Sequence, residues 1–463
     1  MAGLTPPSAE PDAEEAGRPP SWGRVVSWGL WDWGASGFHA VITTFVFSVY
    51  VADMVAPKGG ARSGAQWVSL SMTLAGFVIA ITAPVIGQRA DRAGRRMRNL
   101  GIFTALTVLD MVLMVLVKAD PAYLLLGLVL LGAGNVFSEF AGVSYHSMLK
   151  LVSTPRTVGR VSGIGWSLGY FGGIVLLAVS YFVFIKPKVP FFGVSADPGL
   201  PYRMVALLCA AWFAVFAIPM FVAVRDPARG VRTPAVSVTE SYRILGRDLR
   251  RLWRSERTAV WFLGASALYR DGLAAIFTFG AILATSVYGL SPSDVLVFGI
   301  AANVVAALGA VTAGIVEDRV GPKAIIMTSL IALVSTAVVL LFVHGAGMFW
   351  IFGLILCLWV GPAQSSSRTY LTRLAPHGRE QELFGLYTTT GRAVSFLAPA
   401  LFGVFAAMGG DRVGIVGIAL VLLAGLVALL FVRRPQAHGA ARLEAGAGAD
   451  SDLVMEQSAP GWR

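Results

Sequence analysis

Twelve long apolar segments, separated by short polar stretches, run through the chain from residue 28 to residue 432. Each is about 20 residues or longer, which is the length that an α-helix needs to cross a hydrocarbon core of roughly 30 Å. The pattern therefore predicts an all-α membrane protein with twelve transmembrane helices, numbered spans 1 to 12. The segments lie near 28–55, 66–88, 99–118, 121–146, 160–185, 203–224, 258–288, 293–316, 323–344, 348–370, 383–408 and 413–432.

A short motif occurs twice, once after span 2 and once after span 8. The sequence GQRADRAGRR occupies 87–96 and GIVEDRVGPK occupies 314–323, and each has Gly, then Asp-Arg, then a second Gly. Asp91 and Asp318 are 227 positions apart, about half the chain. Internal duplication on this scale is typical of transporters built from repeated halves. The sequence therefore predicts two pseudo-symmetric six-helix bundles.

The predicted domain boundaries follow from this duplication. The N-terminal bundle is expected at 27–224 and the C-terminal bundle at 258–433. The polar stretch 225–257 between them is expected to be a cytoplasmic linker, partly helical along the membrane surface. Its nine arginines against four acids would also suit anionic lipid headgroups. Residues 1–26, which are Pro-rich and acidic, and residues 434–463 are predicted to be disordered cytoplasmic tails.

The charges of the chain give its orientation and exclude a nucleic-acid partner. Hydrophobic residues make up 56% of the chain and charged residues 14%, and the net charge is +11; soluble proteins carry roughly 25% charged residues. The loops that share a side with the N-terminus contain 24 Lys and Arg, and the opposite loops contain seven. Because these loops are short, the positive-inside rule predicts that both termini are cytoplasmic. Basic residues placed in this way indicate membrane topology and not a nucleic-acid surface.

Polar side chains recur at helical spacing inside several spans, where each is costly unless it faces water or a partner. Span 1 has Asp32, Ser36 and His39 on one stripe, and span 4 has Asn135 and Glu139. Such stripes predict a central aqueous cavity between spans 1, 4, 7, 10 and 11. The candidate substrate or coupling residues are Asp32, Ser36, His39, Asn135, Glu139, Tyr269, Arg270, Asp271, Gln364, Arg368 and Arg392.

A second interpretation of these charges is that they hold the helices together as buried pairs. For Asp271, which follows Arg270 directly, the two interpretations have equal support, because adjacent residues point in different directions on a helix. For Asp32, Glu139 and Arg392, the continuation of each stripe along its helix favours the cavity.

The repeated motif suits a latch between the two halves. Its carboxylates can cap a neighbouring helix or pair with arginine in one orientation of the halves and release in the other. The candidate gating residues are Gly87, Asp91, Arg92, Gly94, Arg95, Gly314, Asp318, Arg319 and Gly321.

Neither a metal site nor a catalytic site is expected. The chain has no CxxC and no HExxH, and its five histidines are scattered, so no metal and no cofactor are predicted. A membrane-embedded enzyme acting on lipid would need a clustered nucleophile and base at a membrane face, and the sequence has no such constellation. The chain is therefore expected not to be an enzyme.

Several stretches also resemble a known family. GQRADRAGRR and GIVEDRVGPK are similar to the signature after the second span of the major facilitator superfamily and to its weaker copy in the second half. WGLWDWGASGF (28–38), GRVSGIGWSLGYFGG (159–173), LYRDG (268–272) and GPAQSSSRTYLTRLAPHGREQELFGLY (361–387) resemble the vacuole-effluxer-like subgroup, related to a fungal vacuolar amino-acid exporter. SYHSML (144–149) is similar too, but His146 stands where the subgroup usually has Asn. The resemblance implies alternating access around a central site.

The sequence thus favours a secondary active transporter that exports a small polar organic solute such as an amino acid. Coupling to protons through Asp32 or Glu139 is compatible with this hypothesis. A drug or lipid exporter of the same fold is the alternative, and a lipid-modifying enzyme is a weaker one. Arginine outnumbers lysine by 31 to 6, as in GC-rich bacterial genomes. We therefore expect the protein to lie in the inner membrane of a bacterial cell. Its expected partners are its solute, protons and membrane lipids, and it is expected to be a monomer.

Overall fold

The computed structural model of the chain describes residues 21–92, 96–153, 158–185, 199–224, 238–374 and 380–432. Twelve helical spans in these ranges are long and apolar enough to cross a membrane, in agreement with the hydropathy pattern. The described residues contain helices and turns but no strand.

The N-terminal six spans contain several departures from a regular α-helix. Span 1 is an α-helix over Trp22–Ser36, a π-helix over Gly37–Phe45, an α-helical turn at Phe47–Tyr50 and a second π-helix over Val51–Val55. Spans 2 to 6 are Gly64–Arg92, Arg96–Leu113, Leu124–Ser147, Val158–Ser180 and Leu200–Ala223. Short turns extend them at Met114–Leu116, Pro121–Tyr123, Leu149–Val152 and Tyr181–Ile185.

A separate helix, Val238–Ser255, lies between the two sets of spans and is called the linker helix. Spans 7 to 10 are Arg257–Ser286, Pro292–Val320, Pro322–Phe342 and Ala346–Leu374. Span 11 is interrupted: it consists of Glu380–Ala393 and Leu397–Gly409, and span 12 is Asp411–Leu430. The linker helix falls within the stretch 225–257 that was expected to be partly helical.

Span 1 begins earlier than the apolar pattern suggests. Its first helix starts at Trp22, within the stretch 1–26 that was expected to be disordered. Gly23 and Arg24 lower the local hydropathy, but Val25, one turn after Trp22, is buried in the core. Residues 1–20 and 433–463, which contain the rest of the predicted tails, lie outside the described residues.

Spans 8 and 10 of the C-terminal half are packed backbone against backbone. Spans 8 and 10 approach so closely that a Cβ atom built on Gly309 would lie 2.1 Å from the Leu358 carbonyl oxygen, and one on Gly361 would lie 2.1 Å from that of Ala306. Small residues allow this approach because transmembrane helices associate through van der Waals packing rather than through a hydrophobic driving force.

The two halves meet at the face of the bundle opposite to the termini, called the opposite face; the other is the terminal face. The Ser63 hydroxyl, before span 2, donates a hydrogen bond to the Asp411 carboxylate at the start of span 12. Ser69 of span 2 donates to the Pro399 carbonyl of span 11 at 2.8 Å. The Phe45 ring of span 1 packs against Gly299 of span 8. These contacts close the space between the halves at the opposite face.

The glycine contact gives a test of this packing. Gly309→Ala should lower the thermal unfolding midpoint of the purified protein, because the new methyl group would force spans 8 and 10 apart, at a cost on the order of 1–3 kcal/mol. Gly264→Ala in span 7 is the matched control, because nothing lies within 4 Å of its added Cβ. The control should be neutral or slightly stabilising, since Ala is the better helix former. Equal midpoints for the two variants would contradict the packing argument.

Candidate functional site

An ion pair within the membrane-spanning region joins the two halves. Arg392 of span 11 donates from Nε to Oε2 of Glu139 in span 4 at 2.7 Å. The side chains are 13% and 30% exposed, respectively, so the pair is shielded but not sealed. Charges at this depth are costly unless they are paired and face protein or water. The pair therefore marks a polar space between the halves, as the stripes of spans 4 and 11 predict.

His39 lies beside this pair, in the π-helical part of span 1. Its ring Nε2 is 3.0 Å from the hydroxyl oxygen of Ser138, the residue before Glu139. Its carbonyl oxygen accepts hydrogen bonds from Thr43 at 2.7 Å and Thr44 at 2.8 Å. The side chain of His39 is exposed. Because it contacts Ser138 beside the ion pair between the halves, its exposed part faces the space between them. π-Helical segments are rare and often occur at functional sites.

Arg270 and Asp271 do not pair with each other, because they contact different parts of span 11. The Arg270 guanidinium lies over the Tyr387 ring, 4.0 Å from its centroid, and donates to the Tyr387 carbonyl at 3.0 Å. The buried Asp271 carboxylate accepts a hydrogen bond from the Ala398 backbone N–H at 2.6 Å. That N–H belongs to the first turn of the second helix of span 11, so Asp271 caps this helix after the interruption. This geometry favours the structural interpretation of Asp271.

The polar run of span 10 contacts three other spans. Gln364 Oε1 accepts a hydrogen bond from the Tyr170 hydroxyl of span 5 at 3.2 Å. Ser367 and the buried Tyr269 hydroxyl of span 7 are 2.7 Å apart. Ser366 donates to the buried carboxylate of Glu317 in span 8. Span 10 is thereby bonded to spans 7 and 8 of its own half and contacts the other half through Gln364.

Asp32 of span 1 and Arg368 of span 10 are a second pair of opposite charges from the two halves. They lie close enough for an electrostatic interaction, and Tyr170 is near both. Asp32 packs closely against Gly169 of span 5, where a Cβ atom would lie 2.8 Å from Asp32 Oδ2. Asp32 and Arg368 are thus an acidic and basic couple in addition to Glu139 and Arg392.

The other predicted residues are placed as follows. Asn135 is half-buried one turn before Glu139. Ser36 is buried, and its hydroxyl donates to the Trp33 carbonyl at 2.6 Å, so it serves the packing of spans 1 and 5. His146, in the stretch that departs from the subgroup, is exposed at the end of span 4 and near enough to Arg270, Arg368 and Arg392 to interact electrostatically.

Only part of the predicted gating motif lies within the described residues. Gly87, Asp91 and Arg92 belong to the last turns of span 2, but their side-chain contacts, like those of Asp318, are outside the described part of the chain. Gly94 and Arg95 also lie outside it. Gly314 and Arg319 are exposed on span 8, and Gly321 has φ +83° at the turn into span 9.

Sequence reasoning did not identify three residues of the site: Tyr170, Glu317 and Tyr387. Glu317 directly precedes the Asp318-Arg319 pair of the repeated motif, and the motif was interpreted without it. Its burial results from the packing of the helices and cannot be read from the sequence. Both tyrosines lie inside stretches that resemble the family, and their hydroxyl and ring could have been weighed as cavity groups. Within the described ranges, no group of three or more His, Cys, Asp or Glu side chains could hold a metal ion.

The chain is similar to several known transporters. The family described as vacuole effluxer Atg22 like matches residues 53–442. An uncharacterized major-facilitator-type transporter of Bacillus subtilis strain 168, YxiO, is 26% identical over 408 residues, covering 88% of this chain and 94% of that protein. Autophagy-related protein 22-1 of Penicillium rubens is 24% identical over 64% of this chain, which spans about half (51%) of that longer protein.

Solved structures show the same fold at low identity. The inward-open xylose transporter XylE from E. coli has a TM-score of 0.63 at 13% identity, covering 89% of this chain and 95% of that chain. A bacterial homologue of the human lysosomal transporter Spinster has a TM-score of 0.53 at 15% identity, covering 92% of this chain and 96% of that chain. These likenesses establish the major facilitator fold, with twelve helices in two halves, as the sequence predicted.

A pair of substitutions at Asp271 separates its two interpretations. If the carboxylate acts as a helix cap, Asp271→Ala should destabilise the purified protein by about 1 kcal/mol, within a range of roughly 0.5–2 kcal/mol. Asp271→Asn should retain most of the stability and transport, because its side-chain oxygen can still accept the Ala398 N–H. Thermal unfolding and proteoliposome transport measure both effects. An Asn variant as impaired in transport as the Ala variant would show that the charge, not the cap, is required.

Proposed function

The chain belongs to the family of Atg22-like vacuole effluxers, which are major-facilitator-type transporters, and on this premise we propose that it exports a small zwitterionic solute such as an amino acid. The protein is a multi-pass membrane transporter and not an enzyme. The single observation that carries the proposed substrate class is the Glu139–Arg392 ion pair between the halves, with Asp32 and Arg368 beside it.

An α-amino acid fits such a cavity because it can exchange partners with it. Its carboxylate would pair with an arginine such as Arg392, and its ammonium with Glu139 or Asp32. Each internal charge would then keep an opposite charge nearby throughout binding, which avoids the cost of an isolated charge at membrane depth. A purely apolar solute would leave the pairs intact and gain nothing from them, which disfavours the alternative of a drug or lipid exporter.

The proposed cycle is alternating access by rocking of the two halves. Loop charges assign the terminal face to the cytoplasm, so closure at the opposite face corresponds to an inward-facing state. The protein would act as a monomer in the inner membrane of a bacterial cell, with both termini in the cytoplasm. Outward opening would separate Ser63 from Asp411 and Ser69 from Pro399.

Proton coupling would use the same ion pair. A proton taken up by Glu139 removes its negative charge and frees Arg392, so protonation and the orientation of the halves become linked. His39, hydrogen-bonded to Ser138 next to Glu139, is a side chain through which a proton can reach the pair.

The substrate class can be tested by ligand stabilisation of the purified protein. A bound solute raises the stability of the folded state, by about 2.7 kcal/mol at 100 times its Kd. We expect some amino acids to raise the unfolding midpoint, whereas their methyl esters and N-acetyl derivatives, which lack one charge, should not. Arg392→Gln should abolish the shift. Stabilisation by the esters or by apolar drugs, with none by amino acids, would overturn the proposal.

Coupling can be tested in proteoliposomes with and without a pH gradient. A gradient should accelerate wild-type transport at least severalfold, because protonation of Glu139 would promote reorientation of the halves. Glu139→Gln should lose this acceleration, and its exchange of substrate should need a higher substrate concentration, because Asp32 alone would then bind the ammonium group. Glu139→Asp, which keeps the carboxylate, should recover part of the acceleration. Transport that ignores the gradient, with Glu139→Gln fully active, would exclude coupling through this residue.

A further inference from the structure

The linker helix has two sharply different faces. On a helical wheel, Tyr242, Leu249, Leu252 and Trp253 form one stripe, and Arg243, Arg247, Arg250 and Arg254 form another. Leu252 is buried, whereas all four arginines are exposed. An arginine stripe on a helix at the end of a membrane bundle is a candidate surface for an anionic partner.

The apolar stripe attaches this helix to the bundle on two sides. Tyr242 donates a hydrogen bond from its hydroxyl to the Ile81 carbonyl of span 2. At the other end of the helix, the Trp253 ring lies 6.1 Å from that of Trp261, near the start of span 7. The helix is therefore held at the terminal face, against both halves.

Three aromatic rings from different elements form an exposed cluster at this place. Trp261 also lies 6.2 Å from Phe431, directly after span 12, so the rings of Trp253, Trp261 and Phe431 are contiguous. Their side chains are 41%, 46% and 65% exposed, respectively. Aromatic rings exposed at the end of a membrane span lie at the level of the lipid headgroups. The cluster thus places the C-terminal part of the linker helix beside lipid.

The arginines at the two ends of the stripe differ in their partners. Arg243 and Arg247 each form a 2.7 Å ion pair with Glu240, which neutralises part of their charge. Among the described residues, Arg250 and Arg254 have no acidic partner, and they lie one turn apart next to Trp253. Two guanidinium groups at this spacing can bind one phosphate group from both sides through charge-assisted hydrogen bonds.

We propose that Arg250 and Arg254, together with the aromatic cluster of Trp253, Trp261 and Phe431, form a binding site for the headgroup of an anionic phospholipid. The arginines bind the phosphate and the rings contact the glycerol region and upper acyl chains. The occupant is a lipid and not a soluble anion because the charged and apolar parts of the site adjoin each other at the membrane boundary. This site lies outside the central cavity and does not depend on which solute is transported.

The test measures binding of phosphatidylglycerol and phosphatidylcholine to the full-length protein in detergent, by counting bound lipids with native mass spectrometry. Wild type should retain phosphatidylglycerol in preference to phosphatidylcholine. The double variant Arg250→Gln/Arg254→Gln should bind phosphatidylglycerol about tenfold more weakly. The control Arg98→Gln/Arg373→Gln removes the same charge from two exposed arginines of spans 3 and 10 at the same face, and should bind as wild type does.

Three outcomes would overturn the proposal. Equal losses in the two double variants would indicate a diffuse effect of charge without a site. Full displacement of the lipid by an equal concentration of glycerol phosphate would indicate a site for soluble anions. If the first double variant does not fold, quenching of tryptophan fluorescence by brominated phosphatidylglycerol still decides the question: wild type should lose more signal than Trp253→Phe, and equal quenching would contradict the site.

Discussion

The ion pair between Glu139 and Arg392 is the contact on which the arrangement of the central site depends. It joins the two halves deep in the membrane region, where neither charge is tolerated without a partner or water. The position of Arg392 is fixed through span 11. Arg270 holds the first helix of that span through Tyr387, and Asp271 caps the second helix at Ala398. Two adjacent residues of span 7 therefore determine where the guanidinium that meets Glu139 can lie.

The same arrangement explains how a bundle of rigid parts can move. Within each half, helices such as spans 8 and 10 are packed backbone against backbone, which leaves little freedom for individual helices to shift. Between the halves, spans 2 and 11 also approach closely, since a Cβ atom built on Gly76 would lie 2.8 Å from the Ser395 carbonyl oxygen. The hydrogen bond of Ser69 with Pro399 and ring packing add to this contact at the opposite face. A rigid-body rotation that opens the opposite face would break these contacts together while the packing inside each half stays intact.

Hydropathy was sufficient to predict the spans, because the length and composition of a membrane helix are local properties of the sequence. Helical spacing also identified Glu139 and Arg392 separately, but their pairing depends on how spans 4 and 11 meet. The π-helix that contains His39 and the interruption of span 11 are not visible as periodicity. Glu317 was missed because it lies next to the Asp318-Arg319 motif, and its burial depends on span 10. Ser36 shares a stripe with Asp32 and His39 and was assigned to the cavity on that ground, but it packs against Gly172 of span 5. Residues on one stripe of a helix can have different neighbours.

The balance of charge in the cavity bears on the proposed solute. Three arginines, Arg270, Arg368 and Arg392, face two acids, Asp32 and Glu139, which suggests a preference for anions. Arg270, however, is already engaged by the ring and carbonyl of Tyr387, where it serves to hold span 11. Counted without Arg270, the cavity charges are two of each sign: Asp32 and Glu139 against Arg368 and Arg392. A solute with equal numbers of positive and negative groups keeps that balance when it enters and when it leaves. A net anion or cation would alter it at every step of the cycle, unless a proton moved with the solute.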